Sequence, residues 1–203
     1  MSQTVIVAGI GTEIGKTVVS AILTKALQAD YWKPIQSGDL EQGDAYWIQQ
    51  WVKHPNLTIW PSTYRLSQPL SPHTAAELDG ITIQMDLFKK PNSPRALVIE
   101  LAGGLMVPIN DHQTNLDLIQ SLDAPVILVS KNYLGSINHT LMSFEMLKQK
   151  GIPIVGIVFN GPENPSGEKF ILNYTQLPLL LCVHEEQKID DTIINQYAQQ
   201  VKL

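Results

Sequence analysis

Two kinds of hydrophobic segment alternate along the chain. Short continuous apolar runs occur at "TVIVA" (4–8), "YWKPI" (31–35), "ALVIEL" (96–101), "PVILVS" (125–130), "IPIVGIVFN" (152–160) and "LPLLLCV" (177–183). Most are rich in β-branched residues and lack a polar alternation, which predicts strands covered on both faces. Between them the apolar positions recur at helical spacing. Val19, Ile22, Leu23 and Ala26 share a face within 16–29, as do Ile137, Leu141, Phe144 and Leu147 within 136–150, and 190–202 predicts a terminal helix. Strands alternating with helices predict an α/β fold, one domain over 1–203 with a mostly parallel sheet flanked by helices. Residues 36–94 hold many turn formers and few clear strands, so they read as one long excursion, a place where function often resides. Parallel sheets bind ligands at the carboxyl ends of their strands, so candidate chemistry belongs just after each strand.

Composition narrows the function classes. The chain has 203 residues, 44% hydrophobic and 16% charged, a globular balance. The net charge of -5 and the lack of a Lys/Arg cluster argue against a nucleic-acid partner. No apolar stretch reaches the roughly 18–20 residues that cross a bilayer. The N-terminus enters a strand directly, without a basic leader, and the single Cys182 forms no internal disulfide, so a reducing cytoplasm is expected. Cys182 itself reads as a small buried hydrophobe. The five histidines show no metal-ligand spacing, so no zinc site is expected.

The strongest motif is "GIGTEIGKT", Gly9 to Thr17, between a strand and a helix. That context makes it a phosphate loop, and the fold a P-loop NTPase type. Backbone N–H groups and the helix N-terminus hold phosphates, Lys16 reaches the terminal ones from the solvent side, and the Thr17 hydroxyl binds Mg²⁺. Five residues separate Gly9 from Gly15 where the common loop has four, which points to a family with a longer loop. Lys33 sits in an apolar run, so it either pairs with an anionic ligand or snorkels to solvent at the strand end. Asp44 and Glu100 are candidate Mg²⁺ ligands; a helix cap and a satisfied strand-end acid are the plain readings beside them. Ser136 or Asn138 could cap the helix after Gly135, whose N-terminus also favours an anion. Asn160 could match the edge of adenine or simply form a turn before Gly161.

In combination and order these motifs resemble the dethiobiotin synthetase family. Its loop reads G-T-D-T-x-V-G-K-T; its "YKPVxSG" is similar to "YWKPIQSG", its "SPH" to 71–73, its "VIExAGG" to the segment at Glu100, and its "KLGxINH" to "NYLGSINH" (132–139). The resemblance implies a homodimeric enzyme that carboxylates 7,8-diaminopelargonate with CO₂ and ATP, through a carbamate and its mixed anhydride with phosphate. It implies catalytic roles for Lys16, Lys33 and Thr12, and metal ligation by Thr17, Asp44 and Glu100. The diamine would meet Thr12, Ser37, Gly135, Ser136 and Asn138, the last three from the other subunit. The nucleotide would meet Glu13, Ile14, Gly15, Lys16, Thr17, Val18, Asp44, Glu100, Leu101, Ala102, Gly103, Asn160, Gly161, Val183, His184 and Glu185.

Three departures stand out. The family's "TD" is Ile10–Gly11, the glycine after its glutamate is Leu101, and its "IP" before the last helix is Val183–His184. The last should loosen base discrimination. A partition or septum-site ATPase of the same loop class would carry a second lysine at the place of Gly11, and an amphipathic membrane tail; neither is present. A cobalamin-pathway amidotransferase would need a second domain with a nucleophilic cysteine. A non-catalytic nucleotide-binding regulator would have no use for the retained Lys33 and carboxylates.

Overall fold

The structure, a computed structural model, describes residues 3–203. In chain order its elements are β1 (Thr4–Gly9), α1 (Lys16–Ala26), β2 (Asp30–Trp32), β3 (Ile35–Ser37), α2 (Asp44–Trp51), β4 (Ile59–Trp60), β5 (Tyr64–Leu66), α3 (Pro72–Leu78), β6 (Leu97–Gly104), α4 (Asn115–Leu122), β7 (Val126–Lys131), α5 (Ser136–Gln149), β8 (Ile154–Asn160), α6 (Pro165–Thr175), β9 (Leu179–Val183) and α7 (Asp191–Ala198). Seven strands form one sheet in the order β4-β2-β6-β1-β7-β8-β9, and every pairing in it is parallel.

Each central strand feeds two cores, because successive side chains point to opposite faces. On β1, Ile6 and Ala8 join Leu97, Ile99, Leu116, Leu128 and Leu147, while Val5 and Val7 join Val19, Ile22, Val98, Ile127 and Ile194. The switch in strand order around β1 opens a crevice at its carboxyl end, where the chain makes the loop 10–15 and enters α1.

The chain departs from the pattern-based expectation at "YWKPI". It is not one strand. β2 stops at Trp32, and after Lys33 and Pro34 the chain starts β3, which pairs with β5 in a separate two-stranded sheet. Pro34 has no N–H to extend the main ladder, and its carbonyl instead accepts from Tyr64 N–H at 3.1 Å. The excursion 36–94 is also more structured than expected, with α2, β4, β5 and α3 inside it. Two helices carried local start signals that apolar spacing alone did not reveal. In α4, Thr114 and Asp117 form a reciprocal capping box; in α6, Asn164 caps a turn that opens with Pro165. The predicted helices 16–29 and 190–202 end earlier, at Ala26 and Ala198.

Candidate active site

A cavity of about 720 Å³ lies at the carboxyl end of the sheet. Thr12, Glu13, Ile14, Gly15, Lys16, Thr17 and Val18 form its floor; Lys33, Asp44, Glu100, Ala102 and Gly103 form one wall; and Ser37 forms part of another with Pro69, Leu70, Ser71 and Pro72. The loop therefore gathers side chains from β2–β3, α2 and β6 around the N-terminus of α1, where free N–H groups and the helix dipole favour phosphate.

Gly15 is required here on two counts. Its φ is +84°, and a Cβ would stand 2.1 Å from Asn160 Nδ2. That close approach lets the Asn160 amide donate to the Ile14 carbonyl at 2.8 Å, so Asn160 clamps the loop from the end of β8. Lys16 is buried rather than solvent-facing as the sequence suggested. It is 7% exposed, and its ammonium donates to Gly11 O at 2.7 Å within its own loop. Burial lowers its pKa to about 8, a shift reinforced by Lys33 and opposed by Glu100 and Asp44.

Beside it lies a charge cluster. Lys33 pairs with Asp44 and lies 3.7 Å from Glu100 Oε1, and Thr17 Oγ1 contacts Asp44 Oδ1 and Glu100 Oε1, the latter at 3.0 Å. Burial pushes the Glu100 carboxyl up, with Lys33 pulling against it. Burial acts the same way on Asp44, but the charge and hydrogen bond of Lys33 and the Thr17 hydroxyl outweigh it and hold that carboxyl low. Burial would lower Lys33, yet the two carboxylates beside it hold it above its ordinary value.

The cluster fits a hard cation. Three oxygens converge, from Thr17, Asp44 and Glu100, and the Thr17 hydroxyl has one proton to give, so it serves only one carboxylate at a time. Among the described residues no group of three or more His, Cys, Asp or Glu could hold a metal unaided. Two carboxylates and a hydroxyl suit Mg²⁺, which takes its remaining oxygens from phosphates and water.

The other sequence candidates lie elsewhere. Leu101 is 1% exposed and packs in the core with Ile6 and Ile99, so its side chain is turned away from the cavity. Gly135 and Asn138 line a separate open groove with Tyr133, Leu134 and Ile137. Ser136 does not cap α5. It is buried, and its hydroxyl accepts from Tyr133 N–H at 3.3 Å, whereas Asn138 is exposed and donates to Met142 Sδ. Gly161, Val183 and His184 line a small recess of about 130 Å³, in which His184 Nδ1 stands 3.6 Å from Glu163. Glu185 is exposed on the loop that follows.

Sequence reasoning missed three contributors. Asp39 and Ser71 line the cavity, and the fully buried Tyr31 donates to Glu100 Oε2 at 2.9 Å. A tyrosine in a two-face-covered strand needs a partner for its hydroxyl, which was the available signal.

A family model described as an AAA domain matches residues 3–192. ATP-dependent dethiobiotin synthetase BioD of Christiangramia forsetii is 46% identical over 100% of this chain and 97% of its own length. Its namesakes in Cytophaga hutchinsonii and Chlamydia pneumoniae are 47% and 40% identical over 95% and 98% of this chain, and 93% and 90% of their own lengths. Among solved structures, the septum site-determining protein MinD of Pyrococcus horikoshii, complexed with Mg-ADP, aligns with a TM-score of 0.62 at 15% identity. It covers 98% of this chain and 95% of its own, a likeness of fold alone. With a P-loop fold, a phosphate loop and this degree of identity along its whole length, the chain belongs to the ATP-dependent dethiobiotin synthetase family.

Proposed function

We propose that the chain uses ATP to carboxylate 7,8-diaminopelargonate and close its ureido ring, giving dethiobiotin, ADP and phosphate. The observation that carries this reading is the convergence of two lysines, Lys16 of the phosphate loop and Lys33 of the wall, in one cavity that Ser37 also lines. The Ser37 hydroxyl is buried and has no hydrogen-bond partner among the described residues. A carbamate meeting a triphosphate brings anion against anion, and fixed cations are what that encounter needs.

In this reading one amine of the diamine takes up CO₂ and forms a carbamate. A carbamate oxygen attacks the γ-phosphorus and ADP leaves; the second amine then attacks the carbonyl carbon of the mixed anhydride, and phosphate departs. Lys16 neutralises the transferred phosphoryl group, and Lys33 neutralises the carbamate. Thr12 and Ser37 orient the diamine. Thr17, Asp44 and Glu100 would hold Mg²⁺, which would supply further neutralisation of the phosphate charge. Asn160 and Gly161, with Val183, His184 and Glu185, form the base side.

The groove at Gly135 and Asn138 is separate from the cavity, and Leu134 beside it is fully exposed. That arrangement supports a homodimer in which Asn138 and the N-terminus of α5 of one chain take the substrate carboxylate of the other. A cytoplasmic setting belongs to the same reading; among the described residues no helix is long and apolar enough to cross a membrane.

The test is phosphate release from ATP and bicarbonate, with and without the diamine. Release that depends on the diamine supports the reading, and equal release in both overturns it. For the dimer, mixing inactive Lys16→Ala and Asn138→Asp proteins should restore part of the parent activity. Continued inactivity with subunit exchange confirmed would place the site within one chain.

A further inference from the structure

Glu100 is 1% exposed, and its two oxygens have different fates. Oε1 faces Thr17 at 3.0 Å and Lys33 at 3.7 Å, toward the cavity. Oε2 accepts from Tyr31 at 2.9 Å on the far side. The contact follows from sheet geometry. Tyr31 pairs with Val98 across β2 and β6, and Glu100 lies two residues further along β6 on the same face, the diagonal neighbour that a long side chain can reach. Tyr31 is 0% exposed, so its hydroxyl has no water to turn to, and Oε2 has no other recorded partner among the described residues.

We propose that Tyr31 is a positioning residue for the cation site: its hydroxyl pins Glu100 Oε2 so that Oε1 alone is presented to the metal and to Thr17. A carboxylate free at both oxygens could rotate, offer both to a cation, or turn Oε1 away. A buried hydrogen bond to one oxygen removes those options before the nucleotide arrives. Partners behind a metal ligand, when removed, commonly cost 10- to 100-fold in metal affinity or activity. The inference rests on the assignment of Glu100 as a metal ligand made above.

Tyr31→Phe keeps the ring and its packing and removes only the hydroxyl. Mn²⁺ serves as the probe, titrated by electron paramagnetic resonance into the full chain with ADP and no diamine. The expected result is a dissociation constant raised about tenfold or more, with the variant still folded at the assay temperature though its thermal midpoint falls, because Oε2 loses its partner. In turnover assays the Mg²⁺ concentration for half-maximal rate should rise while kcat at saturating Mg²⁺ returns near the parent value. Replacing Tyr31 with 3-fluorotyrosine, which keeps the donor, should restore parent Mn²⁺ affinity. Unchanged Mn²⁺ affinity in Tyr31→Phe, while Glu100→Gln weakens it, would overturn the positioning role and leave the metal assignment standing. Unchanged affinity in Glu100→Gln would overturn both.

Discussion

Lys33 offers the sharpest test, because one substitution should move two measurements in opposite directions. Its ammonium pairs with Asp44 and stands 3.7 Å from Glu100, and both carboxylates belong to the proposed cation site. Lys33 therefore satisfies oxygens that Mg²⁺ would use. A cation entering that site must displace the ammonium or bear its repulsion. Two unit charges about 4 Å apart interact by about 4 kcal/mol at an effective dielectric of 20. Lys33 recovers part of that by swinging toward the cavity, so a net penalty of about 1.4–2.8 kcal/mol, ten- to a hundredfold in affinity, is expected. Lys33→Met should accordingly tighten Mn²⁺ binding by about tenfold or more, while turnover falls by about 100-fold or more because the carbamate loses its counter-charge. Burial pushes the Glu100 carboxyl up and Lys33 pulls it down, so the titration is repeated across pH to separate loss of metal affinity by protonation from the effect of the ammonium. Calorimetric titration of Mn²⁺ with ADP and no diamine gives the affinity, and Mg²⁺ should raise the variant's thermal midpoint more than the parent's. Mn²⁺ affinity equal to or weaker than the parent's would refute the argument that this ammonium stands in for the metal.

Lys16→Ala should lower phosphoryl transfer by about 100-fold or more, read as diamine-dependent phosphate release; near-parent turnover would remove the loop from the reaction centre. Asn160→Ala should narrow any preference for ATP over GTP, seen in competition assays, and also loosen the loop that Asn160 clamps through Ile14, seen as faster amide exchange there. Asp30→Asn probes a buried ion pair away from the site. Burial pulls the Asp30 carboxyl up, but hydrogen bonds from Ser93, Arg95 and the Thr58 N–H, with the Arg95 charge, hold its pKa below the ordinary value. Its contribution is fully present above about pH 4, the unfolded value, and is lost as pH falls through the lower folded value. The gap in urea midpoint between parent and variant should thus stay constant from pH 7 to 5 and shrink below pH 4; a gap independent of pH would refute the pairing.

The parallel sheet was legible because β1, β6, β7 and β8 are covered on both faces and so read as unbroken apolar runs. The break at Lys33–Pro34 was not, since a Lys-Pro step inside an apolar run resembles a strand until the main ladder's lack of a Pro34 N–H is considered. The loop residues Glu13 to Val18, with Lys33, Ser37, Asp44 and Glu100, were legible from their types and their places after strands, and the fold brings them together. The Leu101 side chain lies in the core because strand alternation sends it to the face opposite Glu100. Ser136 is not the cap because the helix begins at it, with Gly135 in the capping place, and its hydroxyl accepts from the Tyr133 N–H. Tyr31 was legible only as a buried tyrosine whose hydroxyl needs a partner; that the partner is Glu100 depends on the register between β2 and β6, which a single sequence does not disclose.

The departure of β3 from the main sheet divides the cavity between two scaffolds. Its nucleotide-facing wall is mounted on the seven-stranded sheet, while Ser37 and the turn at 69–72 ride on or beside the two-stranded ribbon of β3 and β5, with Lys33 at the seam. The ribbon is nevertheless rooted in the main core, since Ile35, Tyr64 and Leu66 pack in one buried cluster with Ile6, Leu97 and Ile99. Residues that line the cavity from the ribbon side, such as Ser37, can therefore vary to suit the acceptor, while the inward-facing residues of the same strands stay tied to the sheet that carries the phosphate loop.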